Sequence, residues 1–219
     1  MDNLRLKFSK TERSVYISHL DLMRTMQRAF LRAGMPLKHS EGFNPHPQLN
    51  FALPLSVGTA SVCELLDFTL SGYMVLSEIP YRLNKALPEG IKVLEVYGSE
   101  NKFKNIKWLD VEGIFEYDSR SNQEMIPALM DFYTQESIKI QKRTKSGVAE
   151  SDIAESIRSI AFEEAGSGVL IRAIISAQEP TLNPDLLVSA LEQLVPELKP
   201  DFASFTRQQL YNSDMSVFK

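Results

Sequence analysis

The stretch LRLKFSKTERSVYISHLDLMRTMQRAFLRAGMP, residues 4–36, decides the fold class. Its first residues alternate, with Leu4, Leu6 and Phe8 on one side and Arg5 and Lys7 on the other. That is the period of a strand with one buried and one polar face. Ser18-His19-Leu20-Asp21 then opens a helix: Ser18 can cap free N–H groups, and Asp21, three residues on, completes a capping-box pattern with negative charge at the positive end of the dipole. Leu22, Met26, Ala29 and Ala33 recur at helical spacing, Met23 and Phe30 widen the stripe, and Gly34 and Pro36 end it. A half-buried strand that feeds an amphipathic helix predicts an α+β layer, helix packed on sheet.

Downstream of this pair, Ser40 to Asn50 is crowded with turn formers, Gly42, Asn44-Pro45 and His46-Pro47. Two prolines so close together exclude helix and central strand, so a stiff loop is expected. Residues 51–55 and 62–70 read as strands, 78–87 as a short helix stopped by Pro88-Glu89-Gly90, and 91–97 as a strand. The pattern then starts again: strand 111–117, helix 123–133, strand 138–142, a basic loop, a helical turn at 151–155, a hairpin of 157–162 with 169–176 around Gly166-Ser167-Gly168, a helix capped at Asn183-Pro184 and running to Leu194, and a last strand 202–211. The predicted fold is α+β, two tandem ferredoxin-like βαββαβ halves with helices on one face of each antiparallel sheet. The halves are expected at residues 1–98 and 108–219, with 99–107 as the linker. The stiff 40–50 loop and the basic 142–145 loop are expected at one equivalent place, between the second and third strands of each half, where both could border one cleft.

Across its 219 residues the chain carries a net charge of −4, unevenly spread. Residues 1–50 hold eight Lys and Arg against four acids, leaving −8 for the remainder. Overall acidity argues against indiscriminate nucleic-acid binding, but a locally basic surface can still draw an anionic partner. One cysteine, Cys63, excludes an intrachain disulfide and a cysteine metal cage. No segment is long and apolar enough to span a bilayer, and the opening MDNLRLKFSK carries no signal-like apolar run, so a cytoplasmic setting is expected.

Several motifs stand in a characteristic order: Leu6-Lys7-Phe8-Ser9-Lys10, Tyr16-Ile17-Ser18-His19-Leu20-Asp21-Leu22, Gly42-Phe43-Asn44-Pro45-His46-Pro47, and Phe51-Ala52-Leu53-Pro54-Leu55 with Gly58. Over residues 4–90 this order resembles a bacterial family of radical SAM-linked proteins. The likeness loosens afterwards, through Lys142-Arg143-Thr144-Lys145 and Ser151-Asp152-Ile153. The resemblance implies a protein fused to, or encoded beside, a radical SAM protein, in a gene neighbourhood concerned with ribosomes and RNA processing. The chain has no CxxxCxxC and therefore cannot itself hold the radical cluster.

Three constellations could carry chemistry. His19, His39 and His46, with Asp21 and Cys63, are of metal-ligand type, but their spacing matches no compact motif, so neither a metal nor another cofactor is expected. His19 and His46, helped by Asp21, are candidates for acid–base work, His46 because its flanking prolines hold it at little entropic cost. Arg24, Arg28 and Arg32 recur every four residues along one side of the first helix. With Arg5, Lys7, Arg13, Asn44, Lys142, Arg143 and Lys145 they are the candidate RNA-binding set, reading phosphates chiefly by charge. A solvated face, with Asp21 paired to Arg24, is the plain alternative. No nucleophile elbow and no phosphate-cradling glycine loop is present, the RNP1 signature is absent, and so is the C-terminal glycine-rich loop of the tandem ferredoxin-like nucleases.

Three functions compete on this reading: an RNA-associated binding or processing factor with a basic groove beside the first helix and the 40–50 loop, a non-catalytic adaptor docked on a radical SAM protein, and a histidine- or metal-dependent enzyme of unknown substrate.

Overall fold

The computed structural model describes residues 3–144, 147–166 and 168–219. By internal contacts the chain divides into two units, Met1–Phe103 with Lys219, and Lys104–Phe218. The stretch 99–107 read as a linker is therefore shared. In the first unit Ser99 N donates to Asn3 O at 3.0 Å, while in the second Lys107 N donates to Tyr211 O at 2.8 Å.

The first unit runs β1 (Leu4–Lys10), α1 (His19–Arg32), β2 (Leu49–Phe51), β3 (Ala60–Phe68), α2 (Glu78–Ala86) and β4 (Ile91–Gly98). Its strands lie in the order β4–β1–β3–β2, antiparallel throughout, with Leu6 opposite both Leu66 and Val96. The alternation of β1 works as read on one face: Leu4, Leu6 and Phe8 are buried with Leu66 and Phe68 beneath Leu22, Met26, Ala29 and Phe30 of α1 and Ile79 and Leu83 of α2. Phe30 packs on Phe68 with ring centroids 4.9 Å apart. The helix start is also as read, since Ser18 Oγ accepts the Asp21 N–H at 3.2 Å and donates to the Asp21 carboxylate at 2.7 Å. Gly34 follows α1 at φ +67°, the left-handed conformation that a helix terminus assigns to glycine.

The polar face of β1 differs from its reading. Arg5 is fully buried. Its Nε and Nη2 donate to the two Asp67 oxygens at 2.6 and 2.9 Å, and Nη2 also reaches Ser99 Oγ at 2.9 Å and the Asn101 carbonyl at 2.7 Å. The Phe103 ring closes over the guanidinium at 4.2 Å. Lys10 is buried too, donating to the Val15 carbonyl at 3.0 Å; burial pulls its pKa down, partly opposed by Glu64. Two of the eight N-terminal cations are thus interior groups.

The second unit runs β5 (Trp108–Glu116), α3 (Asn122–Tyr133), β6 (Lys139–Thr144), β7 (Gly147–Asp152), β8 (Ile157–Ala165), β9 (Gly168–Ser176), α4 (Asp185–Leu194) and β10 (Phe202–Tyr211). The order β10–β5–β9–β8 is again antiparallel. The segment read as this half's second strand, 138–142, instead belongs to a separate hairpin, β6 with β7. Its apolar residues, Ile138 and Ile140, are buried, and its backbone is tied to α4: Gln141 N donates to Gln193 Oε1 at 2.8 Å and Gln193 Nε2 returns to Gln141 O at 3.2 Å. The turn expected at 151–155 is the end of β7 followed by a 3₁₀ turn at Ala154–Ser156. The cap of α4 falls one residue later than read, on Pro184. The 40–50 loop follows α1 and precedes β2, and the hairpin follows α3 and precedes β8. The two do occupy matching places in chain order, but before the second sheet strand and not after it. Ser167, in the expected 166–168 turn, lies outside the described residues.

Candidate functional site

The register of α1 sets the site. Leu22, Met26, Ala29 and Phe30 are spent on the core, so Arg24, Arg28 and Arg32 are exposed on the remaining face. Arg24 lies 3.3 Å from Asp21, both largely exposed, a pair worth little in free energy. Arg32 donates to the Ala86 carbonyl at the end of α2, at 2.6 Å, while Arg28 has no carboxylate within ion-pair reach among the described residues.

The 40–50 loop is stiff, but its prolines act together with a backbone ladder. Gln48 N donates to Lys38 O at 2.8 Å, Ser40 N donates to His46 O at 2.9 Å, and His39 pairs with Pro47 between them. Ser40 Oγ accepts the His46 N–H at 3.1 Å and lies 2.9 Å from His46 Nδ1. At the upstream end Lys38 N donates to Thr69 O at 2.8 Å, fastening the ladder to the residue after β3. The tip carries Gly42, Phe43 and Asn44, all exposed, with Phe43 as open as a side chain can be (111 %).

Between α1 and the base of this ladder lies a cleft of about 260 Å³, walled by Phe30, Leu31, Met35, Pro36, Leu37 and Pro47 with Gln27, Arg28 and His39 around it. At this cleft the loop therefore meets the C-terminal end of α1 and the segment after it, not the helix start.

The histidines have separate partners. His19 packs edge-on against Phe51, centroids 5.3 Å apart; His39 Nδ1 sits 3.1 Å from Leu37 O at the cleft; His46 belongs to Ser40. Among the described residues no three His, Cys, Asp or Glu side chains gather as a metal-holding group. A reaction shared between His19, Asp21 and His46 gains no support from this arrangement.

Of the remaining basic set, Arg13 is exposed in the 3₁₀ turn at Glu12–Tyr16, and Lys7 is half-buried on β1 opposite Leu65 and Glu95. Arg5 leaves the set, because a guanidinium sealed beneath Phe103 cannot meet a solvent-borne phosphate. In the second unit Lys142 donates to Thr181 O at 3.3 Å. Arg143 is placed on β6 by its backbone only, and Lys145 lies outside the described residues. Sequence reasoning missed Phe43 as an exposed ring and missed Tyr81, Arg82 and Lys85 on α2. The signal for α2 was present: with Ile79 and Leu83 facing inward, these three fall on the outer side of the helix.

No curated protein matches the chain. Among solved structures it is similar to a chain of a Cbf5–Nop10–Gar1 complex, at 10 % identity and a TM-score of 0.51, over 94 % of this chain but only 48 % of that one. It also matches an unknown protein from Galdieria sulphuraria at 11 % identity and a TM-score of 0.28, covering 94 % of this chain and 97 % of that one. The first likeness speaks to the fold alone. No helix of the described residues is long and apolar enough to cross a membrane. The model of a family described as an uncharacterized protein conserved in bacteria (DUF2344) matches residues 3–184, and the chain belongs to that family.

Proposed function

We propose that this protein is an RNA-associated binding factor that takes single-stranded RNA across the outer face of α1 and the tip of the 38–48 loop. The observation that carries the reading is the arginine row: Arg24, Arg28 and Arg32 stand exposed on a helix whose other side is locked into the core. Rigid placement lets such cations meet a backbone of regularly spaced phosphates. Phe43 supplies an exposed ring for stacking on a base, and Asn44 beside it a donor and an acceptor for base edges. Arg13, exposed in the 3₁₀ turn, and Lys7, on the face of β1 away from α1, are further candidate contacts, as are Lys142, Arg143 and Lys145. We also read the two units as a duplicated ferredoxin-like fold, a reading supported by the matching strand orders β4–β1–β3–β2 and β10–β5–β9–β8.

The test is RNA binding measured by anisotropy across a salt series. Affinity falls steeply with salt, and Arg24→Ala/Arg28→Ala flattens the slope of log K against log [salt] by about 1.4, roughly 0.7 for each phosphate of a single strand that is no longer neutralised. A wild-type protein with no RNA affinity at low salt refutes the reading.

A second reading, an adaptor docked on a radical SAM protein, is favoured by one observation. The cleft beside α1 is walled mostly by apolar side chains, Leu31 of its wall is exposed, and Phe43 stands exposed at the tip of the loop whose base borders it. Under that reading Phe43→Ala abolishes association with the partner, and RNA plays no part.

A further inference from the structure

A second cleft, of about 410 Å³, lies between α1 and α2 and is lined by Arg32, Ala33, Tyr81, Arg82, Lys85 and Ala86. No sequence motif points to it, and its chemistry is unlike that of the apolar cleft on the other flank of α1. Three of its six lining side chains are cationic and none is acidic.

The residues are held for this task by the core beneath them. Ile79 and Leu83 are fully buried, and Asn84 clamps α2 to β4, donating to Val93 O at 2.9 Å and accepting from Val93 N at 2.8 Å. With the rotation of α2 set, Tyr81, Arg82 and Lys85 have only the outer side to occupy. Arg32 reaches across from α1, and its 2.6 Å bond to Ala86 O holds the guanidinium at the cleft edge with further N–H donors unspent on that carbonyl. Lys85 Nζ rests 4.1 Å from the centre of the Tyr81 ring, and Tyr81 is itself 64 % exposed. Arg82 is steadied by Glu78 at 2.9 Å. Together α1 and α2 carry five cations, Arg24, Arg28, Arg32, Arg82 and Lys85, against two acids, and both acids are already engaged by Arg24 and Arg82. Arg28, Arg32 and Lys85 thus present charge that no carboxylate of the described residues balances within ion-pair distance.

We infer that this cleft binds phosphate groups, and that in the RNA-bound protein it carries the backbone from the α1 arginines onto α2. The inference rests on the RNA reading for its ligand but not for its chemistry. Forked guanidinium donors and a lysine point charge suit phosphate oxygens, the absence of a carboxylate lining the cleft removes repulsion, and the largely exposed Tyr81 side chain among them offers apolar surface to a base or ribose attached to that phosphate.

The experiment uses two probes, a labelled single-stranded RNA of mixed sequence read by anisotropy and inorganic tripolyphosphate read by calorimetry. It uses two variants, Arg82→Ala/Lys85→Ala and Arg24→Ala/Arg28→Ala. The four side chains are exposed, so the fold survives either change. Arg82→Ala/Lys85→Ala is expected to lose tripolyphosphate binding and to flatten the RNA salt slope by about 1.4. If that variant keeps wild-type affinity for both probes while Arg24→Ala/Arg28→Ala weakens RNA, the inference falls and the RNA reading stands. If the wild type binds tripolyphosphate, loses it in Arg82→Ala/Lys85→Ala and ignores RNA, the phosphate cleft stands with a free oligophosphate as its ligand, and the RNA reading falls. A wild type that binds neither probe overturns both.

Discussion

Replacing Arg5 by alanine separates a structural cation from a binding one. In the folded protein its Nε donates to Asp67, and the two hydrogens of Nη2 are shared among Asp67, Ser99 Oγ and the Asn101 carbonyl, under the Phe103 ring. Asp67 keeps 21 % of its side-chain surface in water. Alanine therefore leaves a carboxylate mostly buried with its main partner gone, a change that costs about 3–5 kcal/mol when one half of a buried pair is removed. Summing the charge-assisted contacts one by one would give more, but the unfolded arginine is well hydrated, and the difference is what counts. The substitution also frees the 99–103 segment, which Arg5 holds against β1. Against a typical total stability of about 5–15 kcal/mol, Arg5→Ala leaves a protein that unfolds at much lower urea concentration. Arg5→Lys falls between, because an ammonium cannot fork onto two carboxylate oxygens while also reaching Asn101. Urea unfolding followed by circular dichroism measures both, with the Phe103→Ala variant reporting the ring's share. If Arg5→Ala shifts stability by less than about 1 kcal/mol, the range of an exposed pair, the reasoning about burial is wrong. If folded Arg5→Ala instead loses RNA affinity as sharply as Arg24→Ala/Arg28→Ala, Arg5 is a contact residue after all.

Two further outcomes test the second unit. A methyl group on Gly113 of β5 would stand 2.6 Å from the Phe205 ring, 2.7 Å from the Ser204 carbonyl and 2.9 Å from Ile171, so Gly113→Ala overpacks the β10–β5–β9 junction and lowers unfolding stability by about 1–3 kcal/mol; a neutral substitution in urea melts would contradict that geometry. Burial pushes the Tyr117 hydroxyl up to about 12, Asp201 adding to the rise and Arg120 opposing it, while its O–H donates to Leu198 O at 2.8 Å. The unfolded chain releases this proton from about pH 10 and the folded chain holds it, so stability is unaffected below pH 10 and falls as pH rises towards 12. Urea midpoints taken from pH 9 to 11 decline less in Tyr117→Phe than in the wild type, and identical declines would contradict the assignment.

Local patterns settled a good deal of this molecule. The Ser18 cap with Asp21, the Leu22–Met26–Ala29 stripe and the Gly34 stop are short-range physics, with every participant within a turn or two, and they placed the start and the stop of α1. The same period placed the arginines on its outer face. What alternation in 4–8 conveyed was which side of β1 each residue takes, not whether that side is covered. Arg5 is covered by residues distant in the chain, Asp67 of β3 and the 99–103 segment, the latter more than ninety positions away.

Pairing is the other quantity that a single sequence leaves open. Residues 138–142 have the composition of a sheet strand, and nothing local distinguishes a strand that joins β9 from one that folds back on 147–152 and leans on α4. Tertiary packing chose the hairpin and handed the place beside β9 to β8. Likewise the stiffness of 40–50 follows from its prolines, but the meeting of that loop with Gln27, Arg28 and Leu31, and of Arg32 with α2, is decided by helices packed on a common sheet. Torsional preferences and periodicity act over a few residues and are written in the sequence; burial, strand pairing and the convergence of side chains depend on segments distant in the chain, and only the folded structure fixes them.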